Sequence, residues 1–369
     1  MSSATYPPAS ERYASGIKLN IRAHVPPEPW GPNYHSKRPD AIFVNRHDRV
    51  KFALNNPPMD PCPWEKLPPD EQEEETLIIE RYIQQKQVGG STVVVCHLEK
   101  DPSVQYIAKI YDGLDYPFLG EPGTDNEDMD CMSRADLDYA LEASSYILME
   151  TRVGQGHPVV APRYHDSWTF PLQTHRPGYP RWVRMILLEF VEGEVMQDMI
   201  TQNKRVRKKK RISVLRRVIE AERHLWWNCL LSFKGSLGPS KVIIRKGGTL
   251  AFIGFTSVSL YHYFNRRVHP KHFIEGAPNK AMSPIEQYWP FQPIVEEEFT
   301  ACGPWRHWLP ESWVADVDLF AQWLIKTWAY SDKYQPLPVE WMFQKMFQDK
   351  RKPETRELME KMLKGEPIT

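Results

Sequence analysis

The stretch FKGSLGPSKVII, residues 233–244, lies between the apolar run HLWWNCLL and a second apolar run, TLAFIGFTSVS. A loop between a buried helix and a β-hairpin is a common place for reactive groups. This one holds two glycines, a proline, two serines and two lysines, and no carboxylate, histidine or cysteine. A serine without a neighbouring base is a poor nucleophile near neutral pH, and a lysine offers a point charge to an anion. Elsewhere, His224 sits in an apolar helical pattern beside Trp226 and Trp227. No acid or nucleophile is placed next to it, so a hydrogen-bonded core histidine is the expected role. Cys62, Cys96, Cys131, Cys229 and Cys302 are scattered without a CxxC pair. That spacing argues against a zinc site and against disulfides, and it fits an intracellular, cytoplasmic or nuclear protein with reduced thiols.

The elements around these residues follow from periodicity. VGGSTVVVCHLEK and DPSVQYIAKIYD read as two strands of a hairpin. ADLDYALEASSYILMETRV carries apolar residues at helical spacing. VVAPRYHDSWTF and RWVRMILLEFVEG read as two further strands. Beyond them ISVLRRVIEAERHLWWNCLL, DVDLFAQWLIKTWAY and RELMEKMLKG read as helices, with KVIIRKGGTLAFIGF as a hairpin between the first two. Residues 1–75 are Pro-rich, and the expectation is an extension that wraps the main domain through Trp30 and Trp64 or serves as a partner-binding arm. The division expected is 1–75 extension, 76–190 a β-rich lobe and 191–369 a helical lobe.

The chain has 369 residues, 47 basic against 47 acidic. That balance argues against a nucleic-acid partner. The run NKRVRKKKR (203–211) is read as a solvated loop, with a nuclear-import signal as the alternative. No apolar stretch approaches the ~18–20 residues of a membrane span.

The order β, β, α, β, β, apolar connector, helices and interposed loop-hairpin resembles the protein-kinase family. It looks most like the divergent kinase-like proteins common in filamentous fungi. The resemblance covers about residues 80–345 and implies an α+β, bilobal fold. A small antiparallel β-rich N-lobe with one main helix would precede a larger, mostly helical C-lobe. It makes Lys109 of YIAKIYD the counterpart of the phosphate-binding lysine, and Gly90 of GGSTVVV part of the glycine-rich loop. Glu142 becomes the lysine's partner, with Glu150 as runner-up, and backbone groups of Glu189 and Val191 would face an adenine. It also shows losses. Ser236 stands at the base aspartate, Lys241 at the metal-binding asparagine, and Gly254 at the metal-binding aspartate before Phe255.

Phosphoryl transfer depends on positioning and charge stabilisation, much of it through magnesium. Magnesium takes hard oxygen ligands, whereas Gly254 has no side chain and Lys241 brings a repelling ammonium. No metal is expected, and no cofactor beyond ATP held without magnesium. The reading is a catalytically inactive kinase-like protein, a pseudokinase, acting as a protein-binding or regulatory scaffold for an unidentified protein partner. The alternatives are an enzyme that reuses the cleft for a small molecule or nucleotide, and a metal-independent nucleotide sensor.

Overall fold

The computed structural model describes residues 7–29, 49–59, 63–83, 90–116, 130–153, 160–173, 178, 180–202, 206–229, 231–233, 237–260, 280–289, 305, 308–348 and 351–368. The chain divides into two compact units. The first comprises residues 1–192 with 254–258, and the second residues 193–253 with 259–369.

Six strands build the first unit: β1 (Lys18–Ala23), β2 (Glu74–Ile83), β3 (Thr92–Leu98), β4 (Asp101–Tyr111), β5 (Tyr164–Leu172) and β6 (Arg181–Glu189). They pair antiparallel in the order β1-β2-β3-β4-β6-β5 and close into a barrel. Alternation explains why. Leu77 and Ile79, Val94 and Cys96, Ala108 and Ile110, Trp168 and Phe170, and Val183 and Met185 all point into one core. Period-2 patterning puts such residues on a single face of each strand. Tyr13, just after the short helix α1 (Ala9–Arg12), is fully buried in the same core and meets Phe170 edge-on. The barrel interior is therefore packed with side chains, as small barrels are.

This architecture corrects the expected fold class. The β-rich part is a closed six-stranded barrel with helices beside it, not the open sheet lobe of a bilobal kinase-like fold followed by a mostly helical lobe. The reason lies in β1. Its KLNIRA segment pairs Leu19 with Leu77 on β2, while Arg22 and Ala23 pair with Thr169 and Trp168 on β5. A strand from the Pro-rich N-terminal region thereby joins the two edges that an open sheet would leave.

The short helix α2 (Arg49–Asn55) precedes β2, and on the outside of the barrel lies α3 (Cys131–Val153). Its buried face includes Ala135, Tyr139, Glu142, Tyr146 and Met149, spaced by the three- and four-residue steps of one helical face.

The second unit combines helices with two small sheets. Strand β7 (Gly193–Val195) pairs with β9 (Val242–Arg245), which pairs with β10 (Leu250–Phe252). The β9–β10 hairpin turns at Gly248, whose φ of 86° suits glycine. Strand β8 (Leu231–Ser232) pairs with β11 (Ser259–Leu260). Short helix α4 (Met196–Thr201) precedes the long α5 (Lys208–Cys229). Then come α6 (Pro284–Gln287), α7 (Glu311–Ala315), α8 (Val317–Trp328), α9 (Val339–Gln348) and α10 (Pro353–Lys364). Trp313, Phe320 and Trp323 pack with ring centroids 5.0–5.6 Å apart, and Trp328 meets Trp323 at 5.1 Å. Trp313 and Trp328 are buried in the unit's own interior, and Trp323 is half-buried beside them. Trp30 lies outside the described residues, and Trp64 packs under the Arg22 guanidinium at 4.9 Å.

Candidate functional site: a buried carboxylate anchor

Strand alternation sends Ala108 and Ile110 into the barrel, so Lys109 and Tyr111 emerge on its outer face toward α3. There they meet Glu142, which is fully buried. The Lys109 ammonium and the Tyr111 hydroxyl both donate to Glu142 Oε2, the latter at 2.7 Å. The backbone N–H of Phe255 donates to Oε1 at 3.2 Å. One carboxylate thus ties β4, α3 and the 254–258 segment together.

Gly254 is what aims that N–H. Its backbone is left-handed, at φ 75° and ψ 70°, and it opens a 3-10 turn over Phe255–Ser257. Glycine adopts this conformation without the Cβ penalty of other residues. The Phe255 ring is buried edge-on to Tyr146 at 5.1 Å, and Tyr146 stacks on Tyr164.

Electrostatics follow from this burial. Burial and the Glu142 charge hold the Tyr111 and Tyr146 hydroxyls well above their usual range, so both stay protonated. Asp138 precedes Glu142 by one helical turn. Burial pushes its carboxyl up to about 6 against the opposing pull of Arg134, whose Nε lies 3.5 Å from Oδ1.

The other residues named from sequence fall as follows. Gly90 has φ 132° and leads into β3. Glu189, at the end of β6, donates its N–H to the Arg163 carbonyl at 2.9 Å and accepts the Arg163 N–H on its carboxylate at 3.0 Å. Val191 is buried. Glu150 accepts the Tyr164 N–H at 3.1 Å, so the structure brings Lys109 to Glu142 and gives Glu150 a separate tie to β5. Lys241 belongs to the second unit, where its ammonium sits 5.8 Å from the Phe233 ring centre and its carbonyl accepts the Ile253 N–H. Ser236 lies outside the described residues, as do 203–205 of the basic run. His224 Nδ1 contacts Asn228 at 3.1 Å within α5.

Two groups of the anchor escaped the sequence reading: Tyr111 and the Phe255 N–H. Tyr111 had a signal, because it follows Lys109 by two positions on a strand. A backbone N–H has none. A second buried cluster was also missed. Asp112, fully buried, accepts two hydrogen bonds from Arg181 at 2.7 and 2.6 Å. It also accepts from Arg12 and from Tyr13 at 3.1 Å each, and from the Leu114 N–H at 3.0 Å. Arg12 bonds Asp115 as well. Two guanidiniums and two carboxylates so bind α1 to the end of β4.

Among the described residues, Cys96, Cys131 and Cys229 are buried, and no helix is long and apolar enough to cross a membrane. Also among these residues, no three His, Cys, Asp or Glu side chains converge as a metal cluster would require. Compared with family models and with curated proteins, the chain matches none of either.

Proposed function

We propose that this chain is a non-catalytic binding or regulatory protein, whose lysine–glutamate pair serves as a structural anchor and not as phosphate-transfer machinery. The observation that carries this reading is the state of Glu142. Its carboxylate is met by three buried donors from β4 and the 254–258 segment. Beside it, position 254 offers a turn and no side-chain oxygen. The motif-level likeness to degenerate kinase-like proteins agrees with this, because Lys241 and Gly254 both lack the ligand atoms that magnesium takes. The packed barrel argues against a carrier that stores a small molecule inside it. The product of such a protein is an interaction with another protein.

A thermal-shift titration with ATP, run once with magnesium and once with chelator, tests this. The anchor reading expects no shift in either condition. A shift that survives chelation favours the metal-independent nucleotide sensor. A shift that requires magnesium overturns the reading of Lys241 and Gly254.

A further inference from the structure

We propose that the outer face of the barrel at β1, β5 and β6 is a docking site for an extended, proline-rich segment of a partner protein. Asp136 and Arg184 read that segment through its main chain, and the chain's own Met59 holds the place in this structure. This rests on the binding reading and deepens it by giving the partner a chemistry.

Strand register sets the floor of the site. Arg22 on β1 stands opposite Thr169 on β5, which stands opposite Arg184 on β6. Ile21, Phe170, Val183 and Met185 point into the barrel, so this row points out. Trp182, two positions before Arg184, shares the outer face and is half-buried. The Arg22 guanidinium lies 5.5 Å from the Trp182 ring centre and 4.9 Å from that of Trp64. Asp136, buried on α3, completes the set.

Met59 bridges the two buried charges. Its N–H donates to Asp136 Oδ2 at 3.0 Å, and its carbonyl accepts from Arg184 Nη2 at 3.2 Å. A carboxylate and a guanidinium thus read the donor and the acceptor of one residue. Neither tie involves the side chain, so any residue with a free N–H satisfies them and proline does not. Arg184 is 3% exposed, its other acceptor is the Thr169 hydroxyl at 2.7 Å, and its Nε has no acceptor among the described residues. Both acceptors are neutral. A buried guanidinium held this way is costly, and a bound main chain with a further carbonyl suits its open Nε.

The present occupant names the partner's chemistry. Pro57 and Pro58 precede Met59, and Pro63, at φ −54° and ψ 141°, stands just before Trp64. Proline holds a chain extended before it binds, which lowers the ordering cost, and aromatic-lined grooves take such segments. The site therefore selects a Pro-Pro-Xaa step, with Xaa not proline, followed by an aromatic residue for the Arg22–Trp182 stack. Phe52 and Ala53 of α2 on one side and Leu67 on the other are buried. They keep the chain attached while Met59 and Trp64 give way, a local opening that leaves the barrel folded.

Hydrogen exchange in the wild-type full chain tests the opening. After correction for intrinsic rates, the Met59 amide should exchange about tenfold or more faster than the slowest amides of β3 and β4. Exchange of Met59 only at that slowest rate would mean that the barrel must unfold to release it, and overturns the proposal. A labelled peptide of residues 55–66, NNPPMDPCPWEK, titrated into the full chain under reducing conditions, tests the binding. Met59→Pro/Trp64→Ala should bind it about tenfold or more tightly than wild type, because the competing cis contacts are gone. The peptide carrying N-methylmethionine in place of Met59 should lose that gain, and so should Arg184→Ala added to the double variant. Absence of the gain, or equal binding of the N-methylated peptide, overturns the proposal. Inorganic phosphate bound through Arg184 without peptide binding would assign the face to an anion instead, and dimerisation of the double variant without peptide binding would assign it to a second copy. No nucleotide is present, so a negative peptide result stands apart from the ATP titration that decides the reading of Lys109 and Glu142.

Discussion

Replacing Glu142 with alanine is expected to destabilise the first unit by about 3–5 kcal/mol, the cost of removing one member of a buried ion pair. Three groups lose their acceptor at once: the Lys109 ammonium, the Tyr111 hydroxyl and the Phe255 N–H. Lys109 is only 9% exposed and cannot recover full hydration. Each neutral donor left unmatched adds about 1–3 kcal/mol in isolation, although these costs overlap. Glu142→Gln should cost less, because its amide oxygen still accepts while the charge is lost. The double variant Lys109→Met/Glu142→Leu should be less destabilised than the two single changes summed, by about 0.5–3 kcal/mol. Urea melts of the wild type, Glu142→Ala, Glu142→Gln, Lys109→Met, Glu142→Leu and the double variant give these values. Strict additivity would mean that the pair is not coupled in the folded chain.

The second large effect belongs to Asp112. Alanine there strands Arg181 and weakens the tie of Arg12, both of them mostly buried. A loss of about 3–5 kcal/mol is expected. At about 2–4 °C per kcal/mol for a unit of this size, melting should fall by roughly 10 °C. The cluster also predicts a response to acid. Burial alone would raise the Asp112 carboxyl, but the charge and hydrogen bonds of Arg181, with Arg12, outweigh it and leave it below the usual carboxylate range. A lowered folded value contributes stability above the unfolded value of about 3.9, and that stability is lost as pH falls through the folded one. Wild type should therefore lose stability below about pH 4 more steeply than Asp112→Ala. Thermal melts at pH 3, 4 and 7 check this, and parallel curves for the two proteins would contradict it.

Much of the local structure could be read from residue patterns. TVVVC, YIAKIY and RWVRMILLE are strands because β-branched and apolar residues alternate or run continuously, and they form β3, β4 and β6. The apolar period of ADLDYALEASSYILMETRV forms α3. The closure of the barrel was not readable. It depends on KLNIRA, a short strand with two fully inward residues, finding partners in β2 and β5 far along the chain. Order of elements does not determine whether a sheet stays open, and the bilobal expectation failed at that step. The site shows the same split. The pairing of Lys109 with Glu142 came from the resemblance to kinase-like proteins, not from the residue pattern itself. The link between Arg12 and Asp112 could not be read from either, because nothing local connects residues so distant in sequence. Gly254 was legible as a missing side chain, while its left-handed turn and the N–H it aims at Glu142 required the folded backbone.

The central claim is that the Lys109–Glu142 pair holds structure and performs no phosphate transfer. The most direct test is incubation of the purified full chain with γ-labelled ATP, magnesium and a generic protein substrate, beside Lys109→Ala. The account predicts no label above background in either protein. Label transferred by the wild type and absent with a folded Lys109→Ala would contradict it.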